Sequence, residues 1–211
     1  MTARPFYLAL ALAASIFAAD TPKILYKNDF ETAEIDKLPS DFLVLDGAFA
    51  VKEEAGNKFL ELPGSPLDSF SVLFGPTGKE NLAVSARVFG TAKGRRFPAY
   101  SVGLNGVSGY KLQVSPGKKL LEIYKGDTVK TSVPYDWESG KWIRLKLAFV
   151  KTGDGWSLTG KAWTGERSEP EKPLISWTET EEPSAGRPSI SGSPFSTTPI
   201  RFDDLIVTLA P

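Results

Sequence analysis

Acidic and aromatic side chains are the groups in this sequence that could do chemistry. Asp29 and Glu31 stand near one end of the chain, and Asp203 and Asp204 near the other. Brought together, three or four carboxylates would repel one another. A hard divalent ion with oxygen ligands, calcium above all, would relieve that repulsion. Two further acidic runs are Glu34-Ile35-Asp36 and Glu179-Thr180-Glu181-Glu182. Among the rings, Tyr124, Trp142 and Trp163 stand out because their positions in the local alternation differ from those of their aliphatic neighbours. An outward, rigid ring offers a stacking surface for the apolar face of a sugar.

What is missing narrows the chemistry further. The 211 residues contain no histidine and no cysteine. Ser-His-Asp and Cys-His nucleophiles, thiolate metal sites, disulfides and the commonest base near neutral pH are therefore excluded. Lys and Arg number 25 and Asp and Glu 25, a balance that argues against a nucleic-acid partner, which needs a clustered basic face. At the N-terminus Arg4 precedes an uncharged run, Phe6 to Phe17, and then Ala18 and Ala19. That layout predicts a secretory signal peptide over residues 1–19, with a hydrophobic run too short to span a bilayer. Residues 20–211 are then one exported domain, at the cell surface, in a periplasm or outside the cell, with no membrane association once the signal is removed.

The elements that must position these groups are strands. Leu82, Val84, Ala86 and Val88 alternate with Ala83, Ser85, Arg87 and Phe89. The same period of two runs through Tyr100–Asn105, Tyr110–Ser115 and Trp142–Phe149, which predicts half-buried antiparallel strands. Asn105-Gly106, Ser115-Pro116-Gly117, Lys125-Gly126-Asp127, Glu138-Ser139-Gly140 and Gly153-Asp154-Gly155 mark the turns between them. No linker divides the chain. Glu179 to Gly192, with Pro183, Gly186 and Pro188, reads as a long loop. By parity Tyr124 sides with Glu122, against Leu121 and Ile123. Trp163 sides with Ser157, Thr159 and Lys161, and Trp142 with Arg144 and Lys146. All three rings should point away from the core, onto a face where a groove can lie. The other reading is that a second layer or a loop covers them, or that a bulge at Gly160 changes the phase ahead of Trp163.

The order of these elements resembles the concanavalin A-like lectin and glucanase jelly rolls, especially laminin-G-like domains of exported bacterial proteins. The resemblance is carried by Tyr26-Lys27-Asn28-Asp29-Phe30-Glu31, Gly109 to Val114, Leu121 to Gly126, Gly140 to Leu145 and Ile200 to Val207. The opening Asn-Asp-Phe-Glu and the closing Phe-Asp-Asp-Leu also resemble carbohydrate-binding modules of a separate jelly-roll topology. The resemblance implies two facing antiparallel sheets with the first and last strands adjacent. It also implies a structural calcium at Glu31 with Asp203 or Asp204, Asp29 lying close by. Against that, Phe202 and Leu205 cannot both face the core in strict alternation, so the two aspartates could instead mark a bulge. Retaining hydrolases of this fold carry Glu-x-Asp-x-x-Glu on a strand. The nearest match here, Glu34 to Pro39, has proline at the second glutamate, so the paired carboxylates such a reaction needs are incomplete.

The sequence therefore reads as an all-β, two-sheet jelly-roll sandwich with no catalytic set. It is expected to bind a polysaccharide or other glycan through Tyr124, Trp163 and Trp142. A ligand-free structural or adhesion domain of an exported assembly is the alternative, and a glycoside hydrolase a more distant one.

Overall fold

The computed structural model describes residues 22–165 and 167–210; the leader expected over 1–19 lies outside them. The described chain starts with β1 (Ile24–Asn28), β2 (Leu43–Asp46), β3 (Ala50–Glu54), β4 (Asn57–Leu62) and β5 (Phe70–Leu73). It continues with β6 (Leu82–Phe89), β7 (Ala99–Leu104), β8 (Tyr110–Ser115), β9 (Leu120–Lys125) and β10 (Thr128–Pro134). It ends with β11 (Ile143–Thr152), β12 (Gly155–Thr164), β13 (Ile175–Glu179), β14 (Ser189–Ser193) and β15 (Ile200–Leu209).

Two antiparallel sheets face each other. The eight-stranded sheet runs β13-β12-β11-β6-β15-β4-β3, with β1 on β15; the seven-stranded sheet runs β10-β9-β8-β7-β14-β5-β2. The first and last strands thus pair, Asn28 opposite Leu205. This is the all-β, two-sheet sandwich expected from the alternation, in the jelly-roll arrangement that the resemblance implied, folded as one domain.

The core explains the strands. Val84, Val88, Leu145, Leu147 and Phe149 of one sheet meet Val102, Leu112, Val114, Leu121 and Ile123 of the other, all of them buried. Each such side chain contributes about 1.5–3 kcal/mol by leaving water. The turns close as their residues require: Asn105 and Gly106 both take positive φ, 67° and 75°, between β7 and β8.

Two local expectations resolve clearly. β15 does bulge: its register against β6 shifts between Asp203 and Ile206, and Asp204 has φ 48°. Phe202 and Leu205 both reach the core as a result. Gly160 makes no bulge. It pairs in unbroken register with Leu147, and a Cβ there would lie 2.5 Å from Leu112 and 2.6 Å from Ile175. The glycine is a point of close sheet-to-sheet approach, so Trp163 keeps its outward direction.

The stretch Glu179 to Gly192 is not a single loop. It holds the end of β13 and most of β14, and β14 lies in the middle of the seven-stranded sheet between β7 and β5. The serines and glycine of β14 lack the aliphatic alternation that signals a strand.

Where β13 ends, Glu179 ties the two sheets together. Its carboxylate accepts from the Tyr110 hydroxyl at 2.9 Å and pairs with Lys125 at 3.0 Å, and it also accepts from the amides of Thr180 and Glu181. Burial opposes its ionisation. The Glu181 amide, the Lys125 ammonium and the Tyr110 hydroxyl outweigh that and hold the carboxyl down at about 2. A group depressed in the folded state stabilises it above the unfolded pKa, about 4.3 for Glu, and loses that contribution as pH falls toward the folded value. Urea unfolding should therefore show stability falling between about pH 4 and pH 2. Glu179→Gln should cost about 2 kcal/mol at neutral pH and flatten that dependence. An unchanged pH slope in the variant would contradict this role.

Candidate functional site

The seven-stranded sheet carries an unusual outer face. Because inward and outward side chains alternate, residues of equal parity on paired strands line up across the sheet. One such row runs Asp46, Ser71, Ser191, Ser101, Gln113, Glu122, each directly opposite the next. A neighbouring row runs Leu73, Ser189, Gly103, Lys111, Tyr124. At the usual strand spacing the first row crosses about 24 Å of sheet.

Ser71, Ser191 and Gln113 of the first row and Lys111 and Tyr124 of the second floor a groove, while Ser101 and Glu122 are buried. One hollow of about 410 Å³ is lined by Phe70, Ser71, Ser191, Lys111, Gln113 and Tyr124, among others. A second, of about 290 Å³, shares Ser69, Ala99, Gln113 and Ser193 with it and continues to Ser115, Phe97 and Phe195. Gly103 keeps the floor open, since a Cβ there would sit 2.4 Å from the Ser189 hydroxyl. Phe195 is 38% exposed at the far end. Hydroxyls and an amide thus line the middle, with Tyr124 and Phe70 at one part and Phe97 and Phe195 at another.

A fixed network orients Tyr124. Its hydroxyl donates to Glu122 at 3.1 Å and lies 3.4 Å from the Gln113 amide, while Lys111 sits 5.6 Å from the ring centroid. Glu122 is buried, and it accepts from the Ser115 hydroxyl at 2.5 Å and from Lys118 at 3.2 Å. Burial first, and then the Glu122 charge, push the Tyr124 phenol above its ordinary range. At neutral pH it is a hydrogen-bonding phenol and not a base. The carboxylate, already satisfied by three donors, holds the ring in place.

The three rings expected to share a face do not. Tyr124 lies on β9 of the seven-stranded sheet, whereas Trp163 lies on β12 of the eight-stranded one and Trp142 directly precedes its β11. Alternation says which way a side chain points relative to its own strand; it does not say which sheet the strand joins. Trp142 is also engaged. The Arg87 guanidinium lies 4.7 Å from its ring centroid, and Phe89 and Phe59 pack at 5.4 and 6.3 Å. Trp163 faces a separate hollow with Ile24, Ile206, Arg144 and Lys146. Gln113, Ser191 and Phe195 escaped the sequence reading. The only trace they left was the outward parity of Gln113 and the Ser-x-Ser-x-Ser of β14.

The carboxylates expected to hold calcium are likewise differently employed. Asp29 pairs with Lys27 at 3.1 Å, and Glu31 accepts from the Lys58 amide at 3.2 Å. Asp204 pairs with Arg144 at 2.8 Å and Arg87 at 3.7 Å, and Asp203 lies 3.4 Å from Arg87 and accepts from Asn57 at 3.2 Å. Among the described residues no group of three or more Asp or Glu side chains could hold a metal ion. Guanidinium groups from β6 and β11 supply positive charge beside Asp203 and Asp204 at the β15 bulge.

No known family profile matches the sequence, and no curated protein matches it. Solved structures do match in shape. The carbohydrate-binding module CBM66 from Bacillus subtilis aligns at a TM-score of 0.55 and 13% identity, over 80% of this chain and 95% of that one. The metal-free carbohydrate recognition domain of Emp46p aligns at 0.60 and 11%, over 89% and 96%. Lectin II from Ulex europaeus aligns at 0.54 and 11%, over 88% and 99%. The chain has a lectin-like β-sandwich fold.

The calcium expectation can be checked in solution. Because arginines neutralise Asp203 and Asp204, the melting temperature should be the same in excess calcium and in excess chelator. A rise of several degrees with calcium would overturn the assignment of those carboxylates to ion pairs.

Proposed function

We propose that this chain is an exported, non-catalytic carbohydrate-binding module of the concanavalin A-like, laminin-G-like kind. It holds a polysaccharide along the outer face of the seven-stranded sheet. The alignment of Ser71, Ser191 and Gln113 in one hollow beside the Tyr124 network carries this reading. A sugar needs many short polar partners and a few flat apolar ones, and this groove combines hydroxyls and an amide with Tyr124, Phe70 and Phe195.

The groove also favours an uncharged sugar. Of the groups in its network, Glu122 and Lys118 neutralise each other, and Lys111 lies 3.7 Å from Asp127. A non-catalytic role is supported by a sequence with no histidine or cysteine and by a tyrosine held as the neutral phenol. Export is supported by the sequence of residues 1–19. Lectin and carbohydrate-binding neighbours in the fold comparison are in keeping with the same conclusion.

Affinity electrophoresis of the protein in gels containing neutral polysaccharides tests the reading. Retardation by at least one neutral polymer is expected. Tyr124→Ala should weaken it about tenfold, through a lost stacking surface and hydrogen bond, while Trp142→Phe leaves it unchanged. No retardation by any neutral polymer, or full retention in Tyr124→Ala, would contradict the proposal. The ligand-free structural role would then be favoured.

A further inference from the structure

The eight-stranded sheet bears a different chemistry on its outer face. Arg144 stands directly opposite Arg87, and Lys146 directly opposite Lys161. Like charges facing each other across paired strands are unfavourable unless an anion lies between them. The arginine pair receives Asp204, built into the β15 bulge of the same sheet. The lysine pair has no such partner on its own strands. Its anion is Glu169, carried by the segment between β12 and β13, at 3.0 Å from Lys146 and 2.7 Å from Lys161.

Glu169 therefore occupies a place shaped for a carboxylate. Two adjoining hollows, of about 370 and 330 Å³, share Lys146 and Glu169; the first is lined also by Trp163, Arg144 and Ile206, the second by Lys161 and Thr159. Two ammonium groups thus hold one carboxylate supplied by a connecting segment, in hollows lined also by a flat indole and by the Asp204-paired guanidinium of Arg144. Glu169 is 37% exposed, and ion pairs of that exposure are weak enough to exchange.

We propose that this hollow is a second glycan site, which takes a sugar carrying a carboxylate. The sugar carboxylate replaces Glu169 between Lys146 and Lys161, and the ring lies against Trp163. The site is separate from the groove around Tyr124, on the opposite face of the sandwich, and stands or falls independently of it. The resident glutamate makes it self-occluded, so occupancy requires a ligand that outcompetes a tethered carboxylate.

The test uses the full chain in affinity electrophoresis with polygalacturonate, with a neutral polysaccharide and polyglutamate as the comparison polymers. The wild-type protein should be retarded by polygalacturonate in a salt-sensitive manner. Glu169→Gln should bind it about five- to tenfold more tightly, because the competing anion is gone. The pair Lys146→Ser with Lys161→Ser should lose this binding, and Tyr124→Ala should keep it. Both substituted faces are outward, and unchanged circular dichroism confirms folding; Glu169→Ala serves as a second release variant. Binding by Glu169→Gln no tighter than wild type would overturn the proposal, as would retention by the double lysine variant or silence of every form. Equal retardation by polyglutamate would also overturn it, since the surface would then recognise acidic chains in general, peptides included.

Discussion

Unbroken antiparallel register across β5, β14, β7, β8 and β9 is the constraint on which the rest of this molecule depends. Once Tyr100, Val102, Leu112, Val114, Ile123 and Ile190 face the core, Ser101, Gln113, Glu122 and Ser191 must face outward, and must do so in line. A slip of one residue in any of these strands would bury the polar row and expose the apolar one. Several buried side chains at about 1.5–3 kcal/mol each forbid it. The groove is thus positioned by the core beneath it. Its polar groups need little ordering of their own, which reduces the entropy lost when a ligand is held.

The two outer faces have acquired opposite characters from that one scaffold. On the seven-stranded sheet the rows are hydroxyls and an amide, and the single buried carboxylate is satisfied by Ser115, Lys118 and Tyr124. On the eight-stranded sheet the rows are guanidinium and ammonium groups, balanced by Asp203, Asp204 and Glu169. The first face offers directional hydrogen bonds with little net charge. The second offers charge that salt would screen. A chain with equal numbers of cations and acids thus presents two outer faces of different chemical character.

How much of this was legible in the sequence depended on the range of the interaction. β6, β7, β8 and β11 were readable because alternation of aliphatic and polar residues is local. The bulge at Asp203 and Asp204 was readable for the same reason, since Phe202 and Leu205 could not both turn inward without it. β14 was hidden because Ser189, Ser191, Gly192 and Ser193 look like a loop when their partners on β5 and β7 are unseen. The ion pairs of Asp204 with Arg144 and of Asp203 with Arg87 join residues remote in sequence, so the sequence alone does not reveal the guanidinium groups beside those carboxylates. Tyr124 and Trp163 share an outward direction but not a sheet, and strand order across a sandwich is a property of the whole chain.

The polar rows of the seven-stranded sheet, positioned by the core, are the contact surface proposed for a sugar. Amide chemical-shift mapping during titration with a neutral oligosaccharide drawn from a polymer that retards the protein tests this most directly. Shifts concentrated at Ser71, Gln113, Tyr124 and Ser191 are expected, with Lys146 and Trp163 unmoved. Shifts centred on Trp163 and the eight-stranded sheet, with the seven-stranded rows silent, would contradict it.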